Sequence, residues 1–267
     1  MNGLAFPQIS PVLFDFGFFS LRWYSLAYLT GIVIAWFFIY QNVKKYKLPI
    51  TKAQVDDMMF NITIGIILGG RIFYILFYNL NMFVAHPLEI FALWHGGMSF
   101  HGGLFGAIVA LYYSSRKMKY SFLGLSDMAA LYTPIGLFLG RCANFVNDEL
   151  WGRVTDVPWA VKFPSGGYLP RHPSQLYEAC FEGLVLFCLL QYLWHFEWVR
   201  QRRGFISGVF LSFYACARLV VECLREPDAQ LGFFFDYITM GQILTAPILM
   251  LGIWLIDNAC KKTLKVR

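Results

Sequence analysis

The stretch GRCANFVNDELWG, Gly140 to Gly152, sets an arginine, two asparagines and two acids at the end of a very apolar segment. An arginine at hydrocarbon depth is costly unless something pairs with it, so one followed at once by amides and carboxylates marks a functional site. A second group has helical spacing: Tyr214, Arg218, Glu222 and Arg225 stand at offsets of 0, 4, 8 and 11. At about 100° per residue they fall within roughly 80° of one another, giving an otherwise apolar helix one polar stripe. The plainer explanation of that stripe is an Arg218 to Glu222 ion pair that only locks helices together.

Other polar residues gather at the same end of their segments. Arg22 and Tyr24 open the first apolar run, Arg71 lies in the second, and Ser99 and His101 begin the third. Arg141, Asn144, Asn147 and Glu149 close the fourth, while His172, Gln175, Glu178 and Glu182 begin the fifth. Unpaired polar groups in hydrocarbon each cost several kcal/mol, so such convergence demands a purpose. Arg141 and Arg218, with Arg225 at the rim, suit an anionic ligand because guanidinium forks bind phosphate oxygens bidentately. Glu149, Glu178, Glu182 and Glu222 then either hold those forks in position or neutralise them. The ligand expected is amphiphilic, with its phosphate in the polar site and acyl chains in an apolar groove.

His101 sits in Gly97-Met98-Ser99-Phe100-His101-Gly102-Gly103, where flanking glycines permit close approach of substrate or backbone. A neutral imidazole there accepts a proton near neutral pH; the alternative is a hydrogen-bonded structural histidine. His172 has a claim to the mouth of the site, although Arg171-His172-Pro173 reads more as loop anchoring. Ser99 and His101 do not form a nucleophile and base pair, since two residues apart on a helix they point about 200° away from each other. HExxH, Walker-type glycine loops and carboxylate-rich metal motifs are absent from the sequence.

The elements that position these residues are membrane spans. The chain is 58% hydrophobic and 14% charged, with a mean hydropathy of +0.53, above the roughly 45 to 50% apolar content of a soluble domain. Runs near 20 to 41, 55 to 78, 97 to 115, 122 to 140, 175 to 194, 205 to 224 and 237 to 257 match a bilayer core of roughly 30 Å. The fold class expected is an all-α integral membrane protein of seven transmembrane helices, a single polytopic domain over 1–267. The segment near 82 to 94 is too short to cross and is expected at the interface. Between spans four and five, 148–174 reads as a small external head, with strand character at Val157 to Phe163 and turn chemistry at Pro164-Ser165-Gly166-Gly167.

Basic residues cluster after the first, third, fifth and last runs: Lys44, Lys45, Lys47 and Lys52; Arg116, Lys117 and Lys119; Arg200, Arg202 and Arg203; Lys261, Lys262, Lys265 and Arg267. The positive-inside rule therefore places the N-terminus outside, the C-terminus in the cytoplasm and Gly140 to Gly152 on the outer face. The net charge of +6 is anchoring charge distributed over short loops, and no nucleic-acid partner is expected. The first run lacks a basic n-region and has full span length, so it is expected to stay as a helix. The six cysteines include no CxxC pair and read as small apolar packers. Small residues at helical spacing, among them Gly102 and Gly106, and Gly204, Gly208 and Ser212, predict close helix contacts.

GRCANFVNDELWG meets every fixed position of the signature G-R-x-(G/A)-N-F-x-N-x-E-x-x-G and so resembles the prolipoprotein diacylglyceryl transferase family; members commonly have glycine where Ala143 and Asp148 stand. Similar stretches cover nearly the whole chain: RWYSLAY at 22–28, GGRIFYILFYN at 69–79, GGMSFHGG at 96–103, LPRHPSQLYE at 169–178, YACARLVVECLREPDAQ at 214–230 and YITMGQILTAP at 237–247. The resemblance implies a multi-pass enzyme of the bacterial inner membrane, active toward the outer face. Its substrates would be phosphatidylglycerol and the lipobox cysteine in the signal peptide of a preprolipoprotein. It implies that Arg141 and Arg218 bind the lipid phosphate, that Asn144, Glu149, Gly152 and Glu222 shape the site, and that Tyr24, His101, His172 and Tyr214 are mouth or catalytic residues. No metal or organic cofactor is implied. Apart from the resemblance, the same residues allow an intramembrane anion or lipid transporter without chemistry, although the inverted repeats that favour transport are not found in the sequence.

Overall fold

The computed structural model describes residues 3–15, 17, 20–91, 96–226, 233–234 and 238–264. The end of the expected interfacial segment (92–94), the 227–230 end of the sixth-span motif, Tyr237, Lys265 and Arg267 lie outside the described residues.

Strands β1 (Leu4–Ala5), β2 (Val12–Asp15) and β3 (Ser20–Arg22) lead into α1 (Trp23–Lys45). Then come α2 (Lys52–Tyr78), α3 (Leu80–Ala85), a 3-10 turn at Pro87–Phe91, α4 (Phe100–Met118), α5 (Phe122–Ala130) and α6 (Thr133–Val146). Strands β4 (Val161–Lys162) and β5 (Pro170–Arg171) precede α7 (Ser174–Glu178), which continues through a π-helical segment at Ala179–Val185 into α8 (Leu186–Trp194). The order ends with α9 (Glu197–Arg200), α10 (Phe205–Glu222), β6 (Phe233–Phe234), β7 (Ile238–Thr239) and α11 (Met240–Leu264).

Among the described residues, five helical stretches are long and apolar enough to cross a bilayer: Trp23–Lys45, Lys52–Tyr78, Ser174–Trp194, Phe205–Glu222 and Gly241–Lys261. A sixth results if α5 and α6, bent by 41° at their break, count as one span. Large apolar side chains stay exposed along them, such as Leu29, Val33 and Phe37 on α1 and Met250, Ile253 and Trp254 on α11, a surface suited to lipid. The chain is a multi-pass membrane protein. The run expected at 97 to 115 is helical, as the 19-residue α4. It is absent from the apolar set because its glycines and the Ser114-Ser115-Arg116-Lys117 end dilute its hydropathy.

The chain divides into two compact units, Met1–Ala35 with Asp127–Arg267, and Trp36–Ser126. In the second, α2 and α4 pack with almost no side chain between them. A methyl group built on Gly106 would overlap the Gly65 carbonyl, and one on Gly69 the Gly102 carbonyl, so the small-residue expectation at Gly102 and Gly106 holds. Thr51 and Gln54 form a reciprocal capping box that starts α2. Arg71, on α2, is held by groups of its own unit. It is buried and donates to the carbonyls of Glu89, Ile90 (3.1 Å), Gly96 (2.5 Å) and Gly97 (3.1 Å), with its guanidinium over the Phe83 ring. Backbone carbonyls thus satisfy this cation inside its own unit.

In the first unit, β4 and β5 pair antiparallel across the turn expected at Pro164 to Gly167, and β1 adds in parallel to β4. Phe6, Phe145 and Phe163 pack as an aromatic cluster, with centroids 5.4 to 5.8 Å apart, tying this small sheet to the end of α6. The buried Asp127 accepts from the backbone N–H of Gly204 (2.6 Å) and Ser207 (2.8 Å) and from the Ser207 hydroxyl (2.8 Å), satisfying the first turn of α10. Gly208 and Gly252 allow α10 and α11 to approach closely, since a Cβ on Gly208 would lie 2.8 Å from the Gly252 carbonyl.

Candidate active site

The site is assembled within the first unit from α6, the α7 to π-helical segment, α10 and the start of α11. Helical periodicity places Arg141 on α6, Glu178 and Glu182 four residues apart on the fifth span, and Arg218 and Glu222 four apart on α10. The π-helical segment begins directly after Glu178 and contains Glu182; such local widenings recur where side chains must be re-aimed at functional sites.

Glu178 is the hub, with a side chain wholly shielded from solvent. Its Oε2 pairs with Arg141 Nη1 at 3.2 Å, its Oε1 pairs with Arg218 Nη1, and Arg225 Nη1 lies 3.5 Å from the same Oε1. Glu182, equally shielded, pairs through Oε2 with Arg141 Nη2 at 3.2 Å. Glu222 Oε2 pairs with Arg218 Nη2 at 2.6 Å, and Glu222 Oε1 accepts from the Thr239 hydroxyl at 2.8 Å. Three guanidinium groups thus share three buried carboxylates. Desolvated charge of this kind persists only when paired and hydrogen-bonded.

The arginines are less deeply placed than the acids. Arg141 and Arg218 keep 16% and 13% of their side-chain surface, against none for Glu178 and Glu182. Each guanidinium has five N–H donors, and the carboxylates engage one contact at each Nη of Arg141 and Arg218. Two carboxylate contacts thus hold each fork, and each guanidinium has more donors than these contacts use. Tyr214 lies within electrostatic reach of Arg141, Arg218, Glu178 and Glu182, its ring stacked on Phe210.

The end of α6 folds back on itself. Asn144 Nδ2 donates to Glu149 Oε1 at 2.7 Å and Asn147 Nδ2 to the same oxygen at 3.3 Å, while Gln175 Nε2 donates to the Glu149 carbonyl at 2.5 Å. Asp148 (φ 57°) and Leu150 (φ 59°) take left-handed conformations in this bend, which explains why glycine suits the Asp148 position and why a short polar side chain is tolerated there. Gly152 is required by crowding: a Cβ would stand 2.7 Å from the His172 Cβ, the His172 carbonyl and the Leu224 carbonyl. Its N–H donates to the His172 carbonyl at 2.8 Å, and it bridges to Arg225, so Gly152 is where three backbone segments meet.

His172 Nδ1 lies 3.1 Å from the Tyr177 hydroxyl, which itself accepts from Trp159 Nε1 at 2.7 Å. Burial lowers the His172 pKa below its ordinary value. Burial, then the nearby Arg218 charge, lowers that of Arg225. The Tyr24 hydroxyl lies 3.3 Å from that of Tyr28, and Tyr28 is within electrostatic reach of Arg141 and Glu149. His101 belongs to the other unit, exposed at the start of α4 with Phe100 edge-on to its ring. Arg22 is exposed in β3. Among the described residues, no group of three His, Cys, Asp or Glu side chains is arranged to hold a metal ion.

Reasoning from sequence named Glu178 and Glu182 only as possible supports for the arginines and missed the hub. Their spacing of four on an apolar span was the available signal. It also missed Thr239, whose relation to Gln242 three residues later is a capping-box pattern.

A sequence model described as prolipoprotein diacylglyceryl transferase matches residues 11–257. Three relatives carry the name phosphatidylglycerol--prolipoprotein diacylglyceryl transferase. That of Rhodospirillum rubrum is 52% identical over 94% of this chain and 92% of its own length. That of Mannheimia succiniciproducens is 50% identical over 99% and 98%, and that of Rickettsia canadensis is 48% identical over 98% and 100%. With the arginine and carboxylate site carried on the matched spans, the chain belongs to the prolipoprotein diacylglyceryl transferase family.

Proposed function

We propose that this protein is a transferase that moves the diacylglyceryl group of phosphatidylglycerol onto the lipobox cysteine of preprolipoproteins, the first step of bacterial lipoprotein maturation. The cysteine sulfur attacks the glyceryl carbon that bears the phosphate; the S–C bond forms as the C–O bond breaks. Glycerol phosphate leaves with the bonding pair, and the thiol proton passes to a base. The observation that carries this reading is the pair of forks, Arg141 and Arg218, held by one buried carboxylate with donors still available. Preorganised donors in a low-dielectric site stabilise negative charge developing on a departing phosphate oxygen.

In this reading Arg141 and Arg218 grip the phosphate, and Glu222 orients Arg218. Asn144 and Glu149 brace the end of α6, Gly152 holds the backbone crossing, and Tyr24, Tyr214 and His172 line the mouth. His101 stands as the candidate base on its residue type and glycine-rich setting. A thiol with a pKa near about 8.5 needs only a weak base. The protein resides in the inner membrane as one polytopic domain with α4 as a seventh span, its N-terminus and the 148–174 head outside and its C-terminus in the cytoplasm.

Incubating the purified protein with phosphatidylglycerol and a lipobox peptide tests the proposal. A peptide gaining the mass of diacylglyceryl, with glycerol phosphate released, is the expected result. Unchanged reactants in the presence of folded protein would exclude it.

A further inference from the structure

Glu222 is held from two sides. Its Oε2 binds Arg218, while its Oε1 accepts from Thr239, which is buried just before α11. The Thr239 hydroxyl also accepts from Gln242 N–H at 3.3 Å, and Thr239 N–H donates to Gln242 Oε1 at 3.1 Å. That reciprocal cap occupies the acceptor side of the hydroxyl, leaving its single proton for the carboxylate. Gly241 lies flush against the same group: a Cβ there would stand 2.5 Å from Glu222 Oε1 and 2.7 Å from its Cδ. The first turn of α11 can meet the carboxylate this closely only without a side chain at 241.

We propose that Thr239 is a positioning residue for the transfer reaction, fixing the Glu222 carboxylate and through it the Arg218 fork, with Gly241 providing the close approach. This rests on the reading above that Arg218 grips the lipid phosphate. An ion pair between residues four apart on one helix leaves both long side chains several rotamers. A second, fixed donor on the far oxygen selects one of them. The start of α11 is in this way a working part of the phosphate site, although none of its residues forms a direct ion pair with an arginine there.

The test is steady-state transfer with the full-length protein in phosphatidylglycerol-containing micelles, comparing Thr239→Val, Thr239→Ser and Gly241→Ala. Thr239→Val keeps shape and removes the proton, so KM for phosphatidylglycerol should rise about tenfold, as for a lost hydrogen bond to a charged group. Thr239→Ser should restore most of the affinity, and Gly241→Ala should resemble Thr239→Val. A helix-capping role alone would act equally whatever stands at 222, so the comparison is repeated with Glu222→Gln. In that background Thr239→Val should add less than about twofold, the non-additivity of residues acting through one another. The proposal is overturned if Thr239→Val leaves KM unchanged while Arg218→Ala abolishes transfer. Full additivity with Glu222→Gln also overturns it. If Arg218→Ala itself keeps wild-type transfer, the phosphate-grip reading fails and the positioning role fails with it.

Discussion

Arg218 and Glu178, forty residues apart in sequence, form a buried ion pair that joins α10 to the fifth span. Because Glu178 also binds Arg141, the two cations share one anchor, and neither fork can turn without disturbing the other. This spacing of two positive groups by one negative group lets like charges stand side by side in a low-dielectric setting.

Arg141→Ala and Arg218→Ala are expected to give folded protein without transfer activity. Lysine at either position should recover only a small part, because a point charge cannot reproduce a planar fork. Lipidated peptide is measured by mass; wild-type turnover in either alanine variant would remove the arginine concerned from the phosphate grip.

Replacing Glu178 by Gln leaves three guanidinium groups around a neutral amide. Breaking a buried pair on one side costs about 3 to 5 kcal/mol, so a lowered unfolding temperature in detergent and weakened lipid affinity are expected together. Loss of affinity with unchanged thermal stability would assign Glu178 to ligand contact and not to anchoring.

At Gly152 the prediction is steric. The 2.7 Å approaches to the His172 and Leu224 carbonyls and to the His172 Cβ involve atoms that no rotamer change can move, so Gly152→Ala should destabilise the α6 bend by about 1 to 3 kcal/mol and abolish transfer. An alanine variant with normal stability and rate would show that the crossing is looser than this.

His172 has its pKa lowered by burial, so the folded protein binds fewer protons there than the unfolded chain. Its contribution to stability is fully present above the ordinary value of 6.5 and is lost as pH falls through the lowered folded value. Melting temperature should therefore decline on acidification in part through this residue, and His172→Gln should flatten that decline. An identical acid profile in the variant would assign the decline to other groups.

For His101, substitution by Asn should slow transfer, as expected when a general base is removed. A wild-type rate in the variant would place the base elsewhere.

The sequence alone determined what depends on neighbours along the chain. A spacing of four on a helix is enough to foresee the Arg218 to Glu222 pair, because helical geometry places i and i+4 on one face. The turn at Pro164 to Gly167 was legible from its residue chemistry, and the close contact of Gly102 and Gly106 from residue size. Tertiary structure alone decided which distant groups meet. Glu178 became the hub because α6, α10 and the turn after α10 bring three arginines to one buried carboxylate, whereas Arg71, equally basic and equally placed in an apolar run, donates to four backbone carbonyls. The need for glycine at 152 and the reach of Thr239 to Glu222 are also invisible along the chain. Both depend on how closely segments from separate parts of the chain approach, and burial makes those distances decisive because unpaired charge and overlapping backbone have no water to relieve them.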